Sequence, residues 1–414
     1  MDKQLRADCE SIIESAIKAV LPDAAVRRAL EGRRFPGRVI LAAIGKAAWR
    51  MAYAATKVPG IEIFRGCVIT KYGHVMGALP GIDCYEAGHP VPDENTFAAT
   101  RHLLEMVSDL RESDTVLFLV SGGGSALFEL PLIPSEELSA ITDALLLRGA
   151  SIFEMNTVRK HLSAVKGGRF AKCCAPAKVL SIVLSDVLGD RPDVIASGPA
   201  APDPTTSEDA LKIAEKYGIS LSGNALNAIK EETPFELSNV ETVVSGSVRE
   251  LCAAAKAECE KLGYETTMLT DSLTCTARQA GALLASVAVG HAGDGKKQAF
   301  IAGGETVVYV KGSGKGGRNQ ELALAAAKKI DGLPNVCIFS VGSDGTDGPT
   351  DAAGGVVTGN TAQLLRERNI SISQFLENND AYNCLKQIDG LIFTGPTGTN
   401  VNDLSVVLIG APER

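Results

Sequence analysis

The sequence predicts an α/β protein of two domains with mostly parallel sheets flanked by helices, the N-terminal one Rossmann-like. Three observations predict it. Apolar β-branched runs such as Thr115-Val-Leu-Phe-Leu-Val120 alternate with helical patterns, and strands that are hydrophobic on both faces belong to sheets covered by helices. Several of these runs end in small, glycine-rich turns, as expected where open α/β sheets collect ligands at their carboxyl edge. The chain has 414 residues, too many for one ordinary core, since single cores stop growing at about 250 to 300 residues.

Each element has a local reason. Ile12, Ile13, Ala16, Ile17 and Val20 mark one face of an opening helix, and no basic segment precedes an apolar run as in a secretory leader. A strand over Arg38–Ile44 leads into helix Lys46–Ala55; further strands are expected over Thr115–Val120, Lys178–Leu184, Thr242–Ser245, Gln298–Ala302, Glu305–Val310, Val336–Val341 and Leu391–Thr394. Helices are expected over Val248–Leu262 and Asn319–Lys329. Proline crowds Ala200–Thr206, and Glu231-Glu-Thr-Pro-Phe-Glu236 is a second polar break; placing the boundary at the second gives domains of 1–235 and 236–414.

A formal charge of −8 argues against a nucleic-acid partner, because phosphate backbones select basic surfaces. No apolar segment reaches the roughly 18 residues a membrane span needs. The ten cysteines form no C-x-x-C pair and no His/Cys cluster, so a zinc site is disfavoured and a reduced, cytoplasmic setting is expected.

Chemistry is expected in the loops. Lys311-Gly-Ser-Gly-Lys-Gly-Gly-Arg-Asn-Gln-Glu321 joins an expected strand to an expected helix. Gly316, Gly317 and Asn319 would there offer backbone donors to an anion at the helix N-terminus, beside Lys315 and Arg318. A solvated basic loop is the alternative. Ser121-Gly122-Gly123-Gly124-Ser125 follows a strand with no side-chain bulk to keep a ligand from the backbone, although a tight strand–helix turn explains it almost as well. No G-x-S-x-G surrounds either serine, so a serine hydrolase is disfavoured. Lys46 follows the first strand and fits a phosphate; a snorkelling lysine is the competing account.

Two carboxylates, Asp186 and Asp190, leave the strand Lys178–Leu184 at the same edge. Asp186 is the better candidate base, and turn capping is the alternative for both. Asp344, Asp347 and Asp351, spaced by glycine and threonine, resemble an oxygen-ligand site for a hard cation; the spacing does not fit an EF-hand, so Mg²⁺ with substrate phosphates is preferred over Ca²⁺. Thr399 and Asn400 lie in a polar loop between the last two strands, where amides and hydroxyls suit phosphate oxygens or a small polyol acid; Asp403 is a further side chain of interest. His89 stands in a proline-fixed turn, facing substrate or merely structural. The basic segments Asn156–His161 and Lys166–Arg169 read best as a solvated helix face.

These pieces, in this order, resemble the class II glycerate kinases, with a DUF4147-type N-terminal region followed by a MOFRL domain. The resemblance rests on Gly45-Lys46, Ala87-Gly-His-Pro-Val-Pro-Asp-Glu94, Val120-Ser-Gly-Gly-Gly-Ser125, Ser185-Asp-Val-Leu-Gly-Asp190, Ala302-Gly-Gly-Glu-Thr306, Gly316-Gly-Arg-Asn-Gln-Glu321, Ser343-Asp-Gly-Thr-Asp-Gly348 and Gly395-Pro-Thr-Gly-Thr-Asn400. It implies two α/β domains with the active site in the cleft between them, ATP-dependent phosphorylation of D-glycerate, usually to 2-phosphoglycerate, and a divalent cation, Mg²⁺. By position, Lys46 and Arg318 would stabilise the transferring phosphoryl group and Asp186 would be the base. Gly122 to Gly124 would hold oxygens, and Asp344, Asp347 and Asp351 would serve nucleotide or Mg²⁺. The expected partners are D-glycerate and ATP, with no nucleic acid and no membrane, and a homo-oligomer is compatible with the sequence. The rival reading is an NAD(P)H-dependent hydroxypyruvate or tartronate semialdehyde reductase, against which stands the missing dinucleotide fingerprint after the first strand.

Overall fold

The computed structural model describes residues 3–411, which divide into two compact units. Ala25–Ser245 form one; the residues up to Ala24 join those from Gly246 onward to form the other. This differs from a division into 1–235 and 236–414: the break falls ten residues later, and the opening helix belongs to the second unit. Local patterning shows that a helix is amphipathic, but not which sheet its apolar face covers.

The first unit carries a six-stranded sheet in the order β3-β2-β1-β4-β5-β6, with β1 Val39–Ile44, β2 Ile63–Lys71, β3 Ile82–Ala87, β4 Thr115–Val120, β5 Lys178–Leu184 and β6 Val240–Gly246. The pairs β1/β2, β2/β3, β1/β4 and β4/β5 are parallel. This is the dinucleotide-fold order, and it reverses between β1 and β4, the point at whose carboxyl edge open α/β sheets bind ligands in a crevice. β1 and β4 are buried at every residue because each feeds two cores. Leu41, Ala43, Leu117 and Leu119 pack on one side with helix Ala48–Thr56. Ile40, Ala42, Ile44, Phe118 and Val120 pack on the other, with Phe128 and Phe170. The three phenylalanine rings lie 4.7–6.1 Å apart between centroids; each buried ring contributes about 1.5–3 kcal/mol. A separate helical cluster, Ser135–Leu147, Ile152–His161, Ser207–Lys216 and Gly223–Ile229, has its own small core around Ile141, Leu145, Val158 and Leu162.

The second unit's sheet runs β11-β10-β9-β12-β8-β7, from β7 Glu265–Leu273, β8 Gln298–Gly304, β9 Val336–Gly342, β10 Gly354–Thr358, β11 Leu391–Ile392 and β12 Asp403–Ile409. Here the expectation of a mostly parallel sheet fails. Only β7/β8 is parallel, while β12 runs antiparallel to both β8 and β9, and β10 antiparallel to β9 and β11. β8, β9 and β12 are buried throughout, and a strand covered on both faces reads the same whichever way its neighbour runs. Helices Ala277–His291 and Arg318–Ala327 contribute Leu284, Ala288, Leu322 and Ala326 to the core on one side.

The opening helix, Lys3–Ala19, buries Ile12, Ile13, Ala16 and Ile17 as its spacing predicted. It packs within this unit: Cys9 Sγ lies 3.3 Å from Cys337 Sγ of β9, and Tyr264 donates to Asp8 at 2.6 Å. The expected strand Glu305–Val310 does not form. β8 ends at Gly304, and beyond it only Val307 makes an isolated bridge, to Thr276; with no neighbouring strand to complete a ladder, Tyr309 and Val310 are exposed.

Candidate active site

In the first unit the loops after β1, β3, β4 and β5 meet. Lys46 donates its backbone N–H to Gly122 O at 2.9 Å, and Ser121 Oγ accepts from Ala47 N at 3.0 Å while donating to Ile44 O at 3.2 Å. The turns after β1 and β4 are thus stitched together across the sheet's reversal point. Ser121 is buried and spent on this bracing, which leaves the glycines to face the crevice. Gly123 has φ +84, and a Cβ there would lie 3.0 Å from His89 Nε2 and 3.2 Å from Lys46 Cε. A Cβ on Gly122 would strike the Asp186 carboxylate, and one on Gly124 would come 2.7 Å from Ala196 Cβ. Lys46, His89 and Asp186, far apart in sequence, are therefore gathered around two residues of one turn, Gly122 and Gly123.

Lys46 is exposed, so its ammonium is open to an entering ligand. His89 is held below its ordinary imidazole pKa, first by burial and then by the charges of Lys46, Lys71 and His74; it is a neutral ring at physiological pH. Asp190 has φ +51 and one buried carboxylate oxygen, Oδ1, without a hydrogen-bond partner.

Ser125 begins a different set of contacts. Its hydroxyl is 3.0 Å from Ser197 Oγ, Ser197 donates to Asn156 Oδ1 at 3.2 Å, and Arg159 Nη2 donates to Ser125 O at 3.3 Å. Ala196 and Ser197 both have positive φ, +52 and +60, a conformation that costs a non-glycine residue about 1–2 kcal/mol and tends to persist at functional sites. The reading of Asn156–His161 and Lys166–Arg169 as a solvated helix face is overturned. Asn156, Lys160, His161 and Lys166 are buried, with Lys160 3.2 Å from Asp203 and Lys166 2.7 Å from Glu129. Burial lowers Lys166 to about 8, against the pull of Glu129. The sequence hid this because lysine and arginine at helical spacing look alike whether solvent or a buried carboxylate lies opposite.

In the second unit the loops after β8 and β9 and before β12 also meet. Asp403, the first residue of β12, pairs across to Gly304 and Gly342, the last residues of β8 and β9. Its carboxylate takes Arg318 in a fork, Nε to Oδ2 at 2.6 Å and Nη2 to Oδ1 at 3.0 Å, while Arg318 Nη1 reaches Glu305 Oε1 at 2.9 Å. Sequence reasoning missed Glu305, which falls in a segment read as a strand.

The N-terminus of helix Arg318–Ala327, expected to be bare, is closed by the protein's own anion. Asp347 accepts from Asn319 N at 3.1 Å and Gln320 N at 2.8 Å; burial pushes its carboxyl up to about 7 despite those donors. Asn319 is buried and accepts from Ser340 Oγ at 2.5 Å. Gly317 is the N-cap and packs on Asp347, while Gly316 packs on Gly348. Lys315 lies over the Tyr382 ring, 4.3 Å from its centroid.

The three aspartates do not converge on a metal. Asp347 is used by the helix, Asp344 accepts from Thr346 N at 2.9 Å in its own turn, and Asp351 accepts from Tyr382 at 2.8 Å. Among the described residues no group of three or more His, Cys, Asp or Glu side chains is placed to hold a cation. As a ready-made cage these residues do not fit Mg²⁺. Thr399 is buried and donates to Val20 O at 2.8 Å, a structural tie, and Asn400 is exposed two residues before Asn402, whose N–H it accepts at 3.4 Å.

Comparison with known proteins agrees with this architecture. Residues 8–230 match the model of a domain of unknown function, DUF4147, and residues 298–403 match the MOFRL family. The chain is 56% identical to D-glycerate 2-kinase of Thermotoga maritima, covering 96% of this chain and 97% of that protein. It is 40% identical to glycerate 2-kinase of Pyrococcus horikoshii, with 96% of each covered. The crystal structure of glycerate kinase from Thermotoga maritima superposes with a TM-score of 0.95 at 54% identity, covering 99% of this chain and 100% of the other. With the DUF4147 match spanning more than half its length and relatives of this identity aligned end to end, the chain belongs to the DUF4147/MOFRL glycerate kinase family.

Proposed function

We propose that this protein is an ATP-dependent kinase that phosphorylates D-glycerate to 2-phospho-D-glycerate. The observation that carries the reading is the packing of Lys46, His89 and Asp186 around the Gly122–Gly123 turn at the sheet's reversal point. Phosphoryl transfer asks a protein for positioning and charge neutralisation more than for covalent chemistry, and this site offers an exposed ammonium, unobstructed backbone and a carboxylate.

In the reaction Asp186 takes the proton of the acceptor hydroxyl. The oxygen then bonds to the γ-phosphorus as the bond to the β–γ bridging oxygen breaks, and ADP leaves. Lys46 neutralises the transferring group, backbone at Gly122 to Gly124 holds oxygens, and neutral His89 donates or accepts one hydrogen bond without adding charge. In the other unit Arg318 is an oriented donor suited to phosphoryl oxygens: its fork on Asp403 fixes the guanidinium plane. A divalent cation would enter with the nucleotide's phosphates, and no step here is assigned to it. No helix among the described residues is long and apolar enough to cross a membrane.

The test is ADP release with D-glycerate, with and without Mg²⁺, and phosphorus NMR of the product to separate the 2- from the 3-phosphate. Absence of glycerate-dependent ADP above background ends the reading. A second reading has one observation in its favour, two Agrobacterium vitis relatives at 38% identity named putative hydroxypyruvate reductase. The turn after β1 reads Gly45-Lys46-Ala47-Ala48 rather than a glycine fingerprint, and NADH oxidation with hydroxypyruvate decides between the two.

A further inference from the structure

We infer that Arg159 receives the carboxylate of the three-carbon acid and so sets the preference for an acid over a neutral polyol, an inference that rests on the glycerate kinase reading. A hydroxy acid presents two ends: a hydroxyl to be phosphorylated and a carboxylate that must be matched. Lys46, His89 and Asp186 account for the first, at Gly122 and Gly123. Arg159 approaches the same turn two residues on, at Ser125 O.

Its charge is only weakly compensated, through one long ion pair. The nearest carboxylate, Glu129 Oε2, stands 4.0 Å away, but that group is fully buried against Lys166 at 2.7 Å and also accepts from Ser163 at 2.5 Å. One glutamate thus faces two cations, and the closer, deeper lysine takes it. Arg159 Nε, buried, has no hydrogen-bond partner, and its Nη2 bond to a neutral carbonyl leaves the fork short of the anion that a guanidinium suits best.

The surroundings hold it in place. Asn156 and Arg159, one turn apart on helix Ile152–His161, both reach Ser125, Asn156 through the hydroxyl of Ser197, whose backbone is held at positive φ. Arg159 also borders a cavity of about 700 Å³ and is the sole lining cation among the described residues. The acidic residues Asp93, Glu94, Glu129, Glu136 and Asp143 share that lining, so the guanidinium is the one part of it that offers an anion a positive partner.

The test uses Arg159→Gln and Arg159→Lys, with KM for glycerate and ATP measured separately and glyceramide as the uncharged acceptor. Loss of charge-assisted bonds is expected to raise KM for glycerate roughly 10- to 100-fold while KM for ATP moves less than about twofold, and the glycerate-to-glyceramide ratio of kcat/KM should fall by a similar factor. The lysine variant keeps charge without the fork and should fall between. A folded variant that preserves that ratio overturns the assignment of Arg159. An unmodified enzyme that does not phosphorylate glycerate at all overturns the underlying function instead.

Discussion

Replacing Gly123 by alanine tests the geometry on which the proposed reaction depends. The methyl group must be accommodated at φ +84, and its position is 3.0 Å from the His89 ring and 3.2 Å from Lys46 Cε. The backbone term is about 1–2 kcal/mol. The contact term is small for stability because both neighbours are side chains that can yield by a few tenths of an ångström. Destabilisation should therefore stay near 1–2 kcal/mol, a loss of roughly 2–8 °C in melting temperature for a unit of this size.

Catalysis is more sensitive than folding to such a shift, since a misplacement near 1 Å can cost about 100-fold in rate. Gly32→Ala is the control: Gly32 also has positive φ, +73, yet nothing lies within 4 Å of its Cβ position. The two variants should lose similar stability in thermal denaturation, while only Gly123→Ala loses kcat, by about 10-fold or more, in the ADP-release assay. Equal rates in the two variants would refute the claim that Lys46 and His89 act where that turn places them.

Three further outcomes are expected. Lys46→Ala and Arg318→Ala should each lower kcat by about 100-fold or more, the scale of removing an electrostatic donor from a transition state. They should differ in melting temperature, because Lys46 is exposed whereas removing Arg318 strands the buried Asp403 carboxylate at a cost of about 3 kcal/mol; matched melting curves would contradict the ion-pair assignment. In NMR titration His89 should protonate below the usual histidine range and move back toward it in Lys46→Met. Because its folded pKa is depressed, His89 favours folding above the unfolded value and ceases to do so as pH falls through the folded one. Lys166, lowered to about 8 from 10.5, likewise gives stability that rises between those two pH values, by roughly 3 kcal/mol at 1.36 per unit. Urea denaturation should show that rise in the unmodified chain and not in Lys166→Met.

Much of this was legible where the chemistry is local. β4 and β5 begin and end at the residues their apolar runs indicated, because a strand buried on both faces has sharp composition edges. Lys46, Asp186 and the Gly122–Gly124 turn could be grouped in advance, since each lies at the end of a strand and parallel strands bring those ends to one edge. What stayed hidden depends on partners distant in sequence. Nothing around Glu129 announces that it is buried against Lys166, and nothing before Asp347 says that it will cap a helix 27 residues upstream. The antiparallel β12 was equally silent, its direction being set by neighbours and not by its own composition.

The two loop clusters also differ in how they treat charge, and that difference bears on what each can contribute. Around Gly123 the lysine is exposed and the pKa of the nearby histidine is lowered, so an entering phosphate meets an accessible ammonium beside the Asp186 carboxylate. Around Arg318 two carboxylates, Asp403 and Glu305, answer one guanidinium, leaving the triad with net negative charge when all are ionised. Arg318 in this arrangement cannot attract a triphosphate by net charge. Its use lies in direction: with Nε and Nη2 fixed on a buried carboxylate, the remaining N–H bonds point along set lines, and only the exchange of Glu305 for a phosphoryl oxygen at Nη1 would turn that pre-set geometry into transition-state stabilisation.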